Sequence, residues 1–181
     1  ASSSNVIAAG VCSGLGVAPS RVGKVYGIFK AYCTRVGTGP FPTELFDETG
    51  EMLRQNGHEF GATTGRPRRC GWLDLPALKY AVMLSGVTDL MMMKSDVMDD
   101  FATLKVATAY RNNGQETKQL PFAACTETME PIYTELPGWQ QKIEGKIPQK
   151  LEDYIKFIED YVGVPIKFVS YGPDRTQNII R

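Results

Sequence analysis

The sequence predicts a mixed α/β fold, in which helices pack against a mixed sheet that contains at least one antiparallel hairpin. Three observations predict it: four segments show helical spacing or capping, three short apolar segments resemble strands, and an Asn-Asn-Gly turn follows one of those strands. The chain of 181 residues is 43% hydrophobic and 22% charged, which is typical of a globular protein with one sizeable domain.

The first two predicted helices rest on the spacing of apolar residues. From Ser20 to Val36 these residues recur at intervals of three and four, which is typical of one face of an amphipathic helix. Ser20 is a suitable cap for this helix and Gly37 a suitable end. A second helix is predicted from Glu44 to Gln55, followed by Gly57.

The third and fourth helices carry clearer boundary signals. Asp74 is a suitable N-cap, Pro76 fits a first helical turn, and Gly86 is a typical end. The fourth helix is predicted from Pro148 to Gly163, because the apolar residues between them follow helical spacing.

The strands are predicted from short apolar or alternating segments. Asp89–Met93 is too short for a helix, and Leu104–Tyr110 alternates loosely before the turn Asn112-Asn113-Gly114, which favours a hairpin. Val164–Val169 resembles a buried strand, and Gly172-Pro173-Asp174 after it predicts a further turn.

The balance of charge argues against two classes of partner. Twenty basic residues match twenty acidic residues, and the isoelectric point is near 6.8. Such a chain has no overall field that would attract nucleic acid or an anionic membrane, so we expect neither as a partner. No apolar run approaches the roughly 20 residues that span a bilayer.

The cysteines and the chain ends predict where the protein works and how much of it is present. The four cysteines form no C-x-x-C pair, which argues against a zinc or redox site, and we expect reduced thiols in a cytoplasmic protein. The chain starts without methionine and ends at Arg181, so we expect a piece of a longer protein. The cysteines are Cys12, Cys33, Cys70 and Cys125.

The segment Glu59–Trp72 combines the residue types that bind anions. Glycine lets backbone amides approach a ligand closely, hydroxyls donate hydrogen bonds, and guanidinium groups match carboxylate or phosphate oxygens in pairs. A solvated basic loop, or a nucleic-acid contact through Arg-Pro-Arg-Arg, would show the same composition. The residues concerned are Gly61, Thr63, Thr64, Gly65, Arg66, Arg68 and Arg69.

Lys94-Ser-Asp96 follows a predicted strand, which is where nucleotide sites lie in α/β sheets. An aspartate there could accept N1–H and the 2-amino group of guanine, while the lysine stem covers the base. Chance is the competing explanation, since Lys142-Ile-Glu144 and Lys150-Leu-Glu152 are nearly the same triplet.

Two further features are less informative. The glycine- and proline-rich segment Thr34–Glu44 could expose backbone amides to a ligand or form a plain turn, and His58, the only histidine, is predicted to be a surface residue. No phosphate-binding G-x-x-x-x-G-K-[ST] loop, nucleophile elbow or metal-ligand cluster occurs in the sequence. The residues alone therefore predict an anion-binding α/β module without an obvious catalytic group.

Seven motifs, in one order along the chain, resemble the adenylosuccinate synthetase family. The resemblance covers essentially the whole chain and about the second half of a typical member, so it implies the carboxy-terminal portion of that fold over residues 1–181. The motifs are Thr34-Arg-Val-Gly-x-Gly-Pro-Phe-Pro-Thr-Glu-Leu45, Glu59-Phe-Gly-Ala-Thr-Thr-Gly-Arg-Pro-Arg-Arg-x-Gly-Trp-Leu-Asp74, Lys94-x-Asp-Val-x-Asp99, Glu130-Pro-Ile-Tyr133, Leu136-Pro-Gly-Trp139, Gly163-Val-Pro-Ile166 and Ser170-x-Gly-Pro-Asp-Arg175.

The resemblance implies a GTP-dependent ligase in AMP synthesis. The family transfers the γ-phosphoryl of GTP to O6 of IMP, and the amine of L-aspartate then displaces phosphate to give adenylosuccinate. It implies a homodimer that uses Mg²⁺. The family's phosphate loop, catalytic aspartate and histidine, magnesium ligands and an arginine offered across the dimer belong to its other half. We therefore expect no catalytic or metal-binding residue in this chain, and no activity from it alone.

The same resemblance assigns binding residues. Ser2 stands where the family commonly has threonine at the IMP phosphate, yet it keeps the hydroxyl. A stand-alone nucleotide-binding module without catalysis is the alternative reading. The implied sites are Gly61, Ala62, Thr63, Thr64, Gly65 and Arg66 for aspartate, Ser2, Val36, Gly37 and Arg66 for IMP, and Arg68, Lys94, Ser95, Asp96, Ser170, Tyr171 and Gly172 for GTP.

Overall fold

The computed structural model describes residues 6–121 and 129–181. Helices and strands are interspersed along these residues, with short 3₁₀ turns at Pro19–Arg21 and Ser95–Met98. In chain order the elements are α1 (Gly10–Leu15), β1 (Tyr26–Lys30), β2 (Cys33–Arg35), α2 (Glu48–Asn56), β3 (Arg69–Gly71), β4 (Leu73–Asp74), α3 (Leu75–Ser85), β5 (Asp89–Met93), β6 (Thr103–Asn112), β7 (Gln115–Thr117), β8 (Met129–Pro137), α4 (Gln149–Val162), β9 (Ile166–Ser170) and β10 (Asn178–Ile180).

The sheet that positions the candidate site has the strand order β1-β5-β9-β10. The first three strands are parallel, and β10 returns antiparallel to β9. The central strand β5 buries Leu90 and Met92 almost completely, which explains why its sequence is a continuous apolar run. The prediction of a strand at Asp89–Met93 is confirmed.

A second sheet is built around β6, which pairs with β4 in parallel and with β7 and β8 antiparallel. The predicted hairpin is confirmed: Asn112 pairs with Gln115, and the two turn residues, Asn113 and Gly114, both have positive φ. Within the described residues, β2 and β3 form a separate antiparallel pair. The fold class predicted from the sequence, a mixed sheet architecture with packing helices, is therefore correct.

The predicted helix from Ser20 to Val36 is wrong. The structure has a 3₁₀ turn there, followed by β1 and β2. Gly23 and Gly27 lower helix propensity, and the β-branched and aromatic residues around them suit a strand. β1 lies at the edge of its sheet, so Tyr26 and Ile28 stay exposed, and the apolar spacing did not mark a buried helical face.

The other three helices form, and the start of α2 and the start of strand β9 differ from the prediction. Asp74 accepts a hydrogen bond from the amide of Ala77 at 3.0 Å and caps α3 as predicted. Gly163 caps the carboxyl end of helix α4, also as predicted. Helix α2 begins at Glu48 instead of Glu44, because the Asp47 side chain caps it. Strand β9 begins at Ile166, two residues after the predicted start.

Strand β8 carries too weak a local signal to be predicted. Pro131 and Pro137 interrupt its sequence and its charged residues face solvent, yet it pairs with β6 along almost its whole length. Pairing with a distant strand stabilises such a segment where local propensity does not.

The core lies between the sheets and α4. The Tyr154 hydroxyl of α4 donates a hydrogen bond to the carbonyl of Ala31 at 2.7 Å, and the Tyr154 ring packs edge-on against Trp139. Trp72 and Phe101 make a second edge-on pair. No helix among the described residues is long and apolar enough to cross a bilayer.

Gly138 provides a test of this packing. A β-carbon at this buried residue would lie 1.8 Å from the carbonyl oxygen of Phe101, which is backbone and cannot rotate away. We therefore expect Gly138→Ala to lower the free energy of unfolding by about 2–3 kcal/mol, as overpacking does. Gly23→Ala is the control, since a β-carbon there meets nothing within 4 Å. Urea unfolding of both variants measures the effect, and equal stabilities would contradict the packing.

Candidate functional site

The candidate site lies where the parallel strands end. The carboxyl ends of β1, β5 and β9 meet at one edge of their sheet, so Lys30, Lys94 and Ser170 come close together. The hydroxyl of Ser95 donates a hydrogen bond to the carbonyl of Ser170 at 2.9 Å. This edge of a parallel sheet is the usual position of nucleotide sites. The structure thus joins two segments that are 75 residues apart in sequence.

The triplet after β5 is held in an uncommon backbone conformation. Lys94 has φ of 59°, in the left-handed region, which is unfavourable for a lysine. Its ammonium donates to the carbonyl of Gly57 at 2.6 Å and to Glu59 Oε1 at 2.8 Å. These bonds secure the end of the side chain and leave its methylene stem partly exposed.

Asp96 offers an acceptor without a partner. Its Oδ1 is buried and receives no hydrogen bond from any residue that the structure describes. Burial raises the pKa of this carboxyl, although its own backbone amide and Lys94 act in the opposite direction. A buried, unpaired acceptor costs free energy, and a ligand that donates to it would recover that cost.

The segment after β9 is a tightly hydrogen-bonded turn. The Ser170 hydroxyl donates to the carbonyl of Gly172 at 3.1 Å, and the amide of Tyr171 donates to the carbonyl of Gln177 at 3.0 Å. A β-carbon at Gly172 would lie 2.3 Å from the side-chain oxygen of Gln177. The predicted turn at Gly172-Pro173-Asp174 is confirmed, and it leads into β10.

Residues 61–66 form a compact loop that projects from the protein. Phe60 and Pro67 pair at its base, the amide of Gly61 donates to the carbonyl of Arg66, and Gly65 adopts φ of 64°. The Arg66 guanidinium makes no hydrogen bond or ion pair with any described residue. All of the loop except Gly61 is exposed, namely Ala62, Thr63, Thr64, Gly65 and Arg66.

The three arginines near this loop have different environments, which their sequence does not reveal. Arg66 points to solvent, whereas Arg68 donates from Nη1 to Glu59 Oε2 at 2.7 Å. Arg69 turns inward: it pairs with Glu44 through two nitrogens, and its Nη1 donates at 3.0 Å to the carbonyl of Gly37. Arg69 is therefore a structural residue of the neighbouring loop.

Among the residues assigned to IMP, the structure describes three. Val36 is exposed, and Gly37 has φ of 79° and accepts from Arg69. Arg66 belongs to the projecting loop described above. Ser2 lies outside the described residues.

Glu59 also lies in the site, although it was not among the site residues predicted from the sequence. Its carboxylate is fully buried and accepts hydrogen bonds from Lys30, Tyr32, Lys94 and Arg68 at 2.6–2.8 Å. Burial by itself would raise the pKa of this carboxyl, but these hydrogen bonds outweigh burial and lower it to about 2. In the sequence, its position at the start of the motif Glu-Phe-Gly-Ala-Thr-Thr was the one signal that could have identified it as a site residue.

The remaining candidates for chemistry take no part in this site. His58 is exposed, as predicted. Burial, followed by the nearby Asp74 carboxylate, raises the pKa of the Cys33 thiol to about 12, which disfavours the thiolate form that reacts. Cys125 lies outside the described residues. Across residues 6–121 and 129–181, no three histidine, cysteine, aspartate or glutamate side chains are grouped to hold a metal ion.

The protein has a mixed α/β fold, and cationic side chains line the carboxyl edge of its parallel strands. A family model described as adenylosuccinate synthetase matches residues 1–179. The chain therefore belongs to the adenylosuccinate synthetase family.

Relatives support this membership. The chain is 58% identical to an adenylosuccinate synthetase of Parabacteroides distasonis and 61% identical to one of Porphyromonas gingivalis, in each case over 99% of this chain and 43% of the relative. It thus spans less than half the length of the curated relatives it matches.

Solved structures agree with the fold. A fully ligated adenylosuccinate synthetase from Plasmodium falciparum superposes with a TM-score of 0.92 and 34% identity, over 99% of this chain and 45% of that one. The succinoaminodeoxyadenylate synthetase of cyanophage S-2L matches with a TM-score of 0.56 and 16% identity over 99% of this chain and 40% of that one. The second likeness concerns the fold alone.

Proposed function

We propose that this chain is the carboxy-terminal portion of an adenylosuccinate synthetase, which joins IMP and L-aspartate at the expense of GTP through 6-phosphoryl-IMP. The observation that carries the proposal is the convergence of the predicted guanine segments at the carboxyl edge of the parallel sheet, with Ser95 bonded to Ser170. The carboxyl edge of the parallel strands, where they meet, is the usual position of a nucleotide in an α/β fold.

At the guanine end, Asp96 accepts the two adjacent donors of the base, N1–H and the 2-amino group. Its buried, unpaired Oδ1 supports this role. The stem of Lys94 covers the base, while the tight turn at Ser170, Tyr171 and Gly172 presents backbone groups along its edge. Arg68 reaches the GTP phosphates with the guanidinium donors that Glu59 does not use.

At the other end, the projecting loop binds aspartate. Its hydroxyls and the Arg66 guanidinium, which has no partner among the described residues, are donors that match two carboxylates, and Arg66 also borders IMP. Val36 and Gly37 contact the IMP ribose, and Ser2 the IMP phosphate. Positioning of three substrates in this way supplies much of the rate of a ligase.

The remaining machinery belongs to the part of the protein outside this chain. We assign Mg²⁺, the phosphate loop and the catalytic acid–base groups to the other half of the protein, as the family resemblance implies. When bound, Mg²⁺ neutralises charge on the transferred phosphoryl group. We further propose a homodimer that works in the cytoplasm.

The isolated chain is expected to be inactive, because phosphoryl transfer needs the phosphate cradle, the metal and the base. The test compares residues 1–181 with the complete protein, each incubated with GTP, IMP, aspartate and Mg²⁺, with adenylosuccinate measured by chromatography. Only the complete protein should form product. Formation of product by residues 1–181 would contradict the division of roles. A reading frame that encodes these residues alone would favour the stand-alone nucleotide-binding module.

A further inference from the structure

Glu59 is the meeting point of the polar contacts behind the site. One carboxylate oxygen accepts from Lys30 at 2.7 Å, Tyr32 at 2.6 Å and Lys94 at 2.8 Å, and the other accepts from Arg68 at 2.7 Å. The carboxylate has no exposed surface. Four donors on one carboxylate satisfy nearly all of its acceptor capacity.

The charges in this cluster do not balance. One carboxylate faces three cationic groups, Lys30, Lys94 and Arg68, so the cluster keeps an excess of positive charge. The side chains of these three cations are 28–36% exposed, and the carboxylate beneath them is not. The excess charge therefore faces the solvent side of the sheet edge, where an anionic ligand would lie.

Each of the three cationic side chains is next to a different part of the site. Lys94 begins the triplet that carries Asp96, and Arg68 follows the projecting loop. Lys30 also donates to the hydroxyl of Thr34 at 2.9 Å, at the start of the segment that contains Val36. The Glu59 backbone is itself held, since its amide donates to the carbonyl of Arg54 and its carbonyl accepts from the amide of Arg68.

We propose that Glu59 is a positioning residue for the nucleotide, which fixes Lys94 beneath the base and Arg68 beside the phosphates through one buried carboxylate. The ammonium of Lys94 is held by Glu59 and the Gly57 carbonyl, so the lysine acts through its immobilised stem. Arg68 donates to Glu59 from one nitrogen, and its other donors are left for a ligand. This inference rests on the proposed function.

The Glu59 carboxylate is ionised at neutral pH. Its pKa of about 2 lies well below neutral pH, because the hydrogen bonds from Lys30, Lys94, Tyr32 and Arg68 overcome the opposing effect of burial. A variant that removes the charge therefore tests the role directly, without a confounding titration.

The test replaces Glu59 in the complete protein. Glu59→Gln should raise KM for GTP by about 10- to 100-fold, which equals the loss of one hydrogen bond to a charged group, and should change KM for IMP and aspartate by about threefold at most. A purely electrostatic role predicts a decrease in KM for GTP instead, because removal of a negative charge would strengthen phosphate binding. A structural role alone predicts lower stability without selectivity for GTP.

Two further measurements sharpen the test. In a double-mutant cycle with Lys94→Met, the increase in KM for GTP in the double variant should be at least about threefold smaller than the product of the increases in the two single variants. The reason is that both substitutions break the same contact. Glu135→Gln, which removes a charge from the exposed ion pair with Lys105, is the control and should leave the KM values for GTP, IMP and aspartate unchanged. Independent effects in the cycle, or an unchanged KM for GTP in Glu59→Gln, would overturn the proposal.

The outcomes separate this inference from the proposed function. If Glu59→Gln does not fold, Glu59→Asp carries the test, since it keeps the charge but draws it away from its donors; the same GTP-selective loss is expected. Loss of folding in both variants would leave Glu59 a purely structural role and overturn the proposal. An inactive unsubstituted protein would instead refute the proposed function. In that case, the GTP affinities of the unsubstituted protein and of Glu59→Gln, measured by calorimetry, would test the positioning role of Glu59.

Discussion

Asp96→Asn in the complete protein should change its nucleotide preference from GTP towards XTP. Guanine presents N1–H and the 2-amino group side by side, and a carboxylate accepts both. Xanthine keeps N1–H but has an oxygen in place of the amino group, which the negative carboxylate repels. An asparagine amide offers one acceptor and one donor, which matches xanthine.

The expected effect is large because the acceptor oxygen is buried. Asp96 Oδ1 has no hydrogen-bond partner among the described residues, so a mismatched base would leave both partners unpaired. Sites built on such hydrogen bonds can reject an analogue by about 10⁴-fold. We therefore expect the ratio of kcat/KM for GTP to that for XTP to fall by several orders of magnitude, roughly 10³–10⁴.

The measurement is kcat/KM for both nucleotides in the unsubstituted protein and the variant. Asp160→Asn is the control, because that carboxylate is exposed on α4, and its ratio should not move. An unchanged ratio in Asp96→Asn would show that Asp96 is an ordinary charge in a turn.

Arg66→Leu in the complete protein should impair the use of aspartate and spare GTP. A carboxylate opposite leucine loses a bidentate charged partner, which costs about 2–5 kcal/mol when the pair is buried by its ligand. That corresponds to a loss of roughly 30- to 5,000-fold in kcat/KM for aspartate. KM for GTP should stay within about twofold.

The structure makes this substitution a clean probe. Arg66 is exposed and has no hydrogen bond or ion pair with the described residues, so its loss should not change stability by more than about 0.5 kcal/mol. Arg111→Leu, at an exposed site on β6, is the matched control. If the aspartate kinetics of Arg66→Leu equal those of the control, the projecting loop has another role.

Local signals predicted the elements whose cause is local. Asp74 caps α3 because its side chain reaches the amide of Ala77, three residues away. Asn113 and Gly114 adopt positive φ and close the β6–β7 hairpin whatever lies around them. Helix α4 follows from its apolar spacing, which requires one buried face.

Predictions failed where a distant partner decides the structure. The segment from Ser20 to Val36 has helical spacing, yet β1 forms because its backbone pairs with β5, about 60 residues later. Strand β8 is defined by β6 in the same way. Such pairings depend on the placement of the rest of the chain, which no local pattern contains.

The sequence by itself determined the family, the mixed α/β class and the polar motifs, because these depend on residue types in a fixed order. Only the tertiary structure decided how those motifs combine. In the folded chain, Ser95 forms a hydrogen bond with Ser170, and Glu59 is buried beneath Lys94. Arg66 is exposed to solvent, whereas Arg69 pairs with Glu44. The physical reason is that hydrogen bonding and burial depend on distances in space, and the parallel strands β1, β5 and β9 bring together residues far apart in the chain.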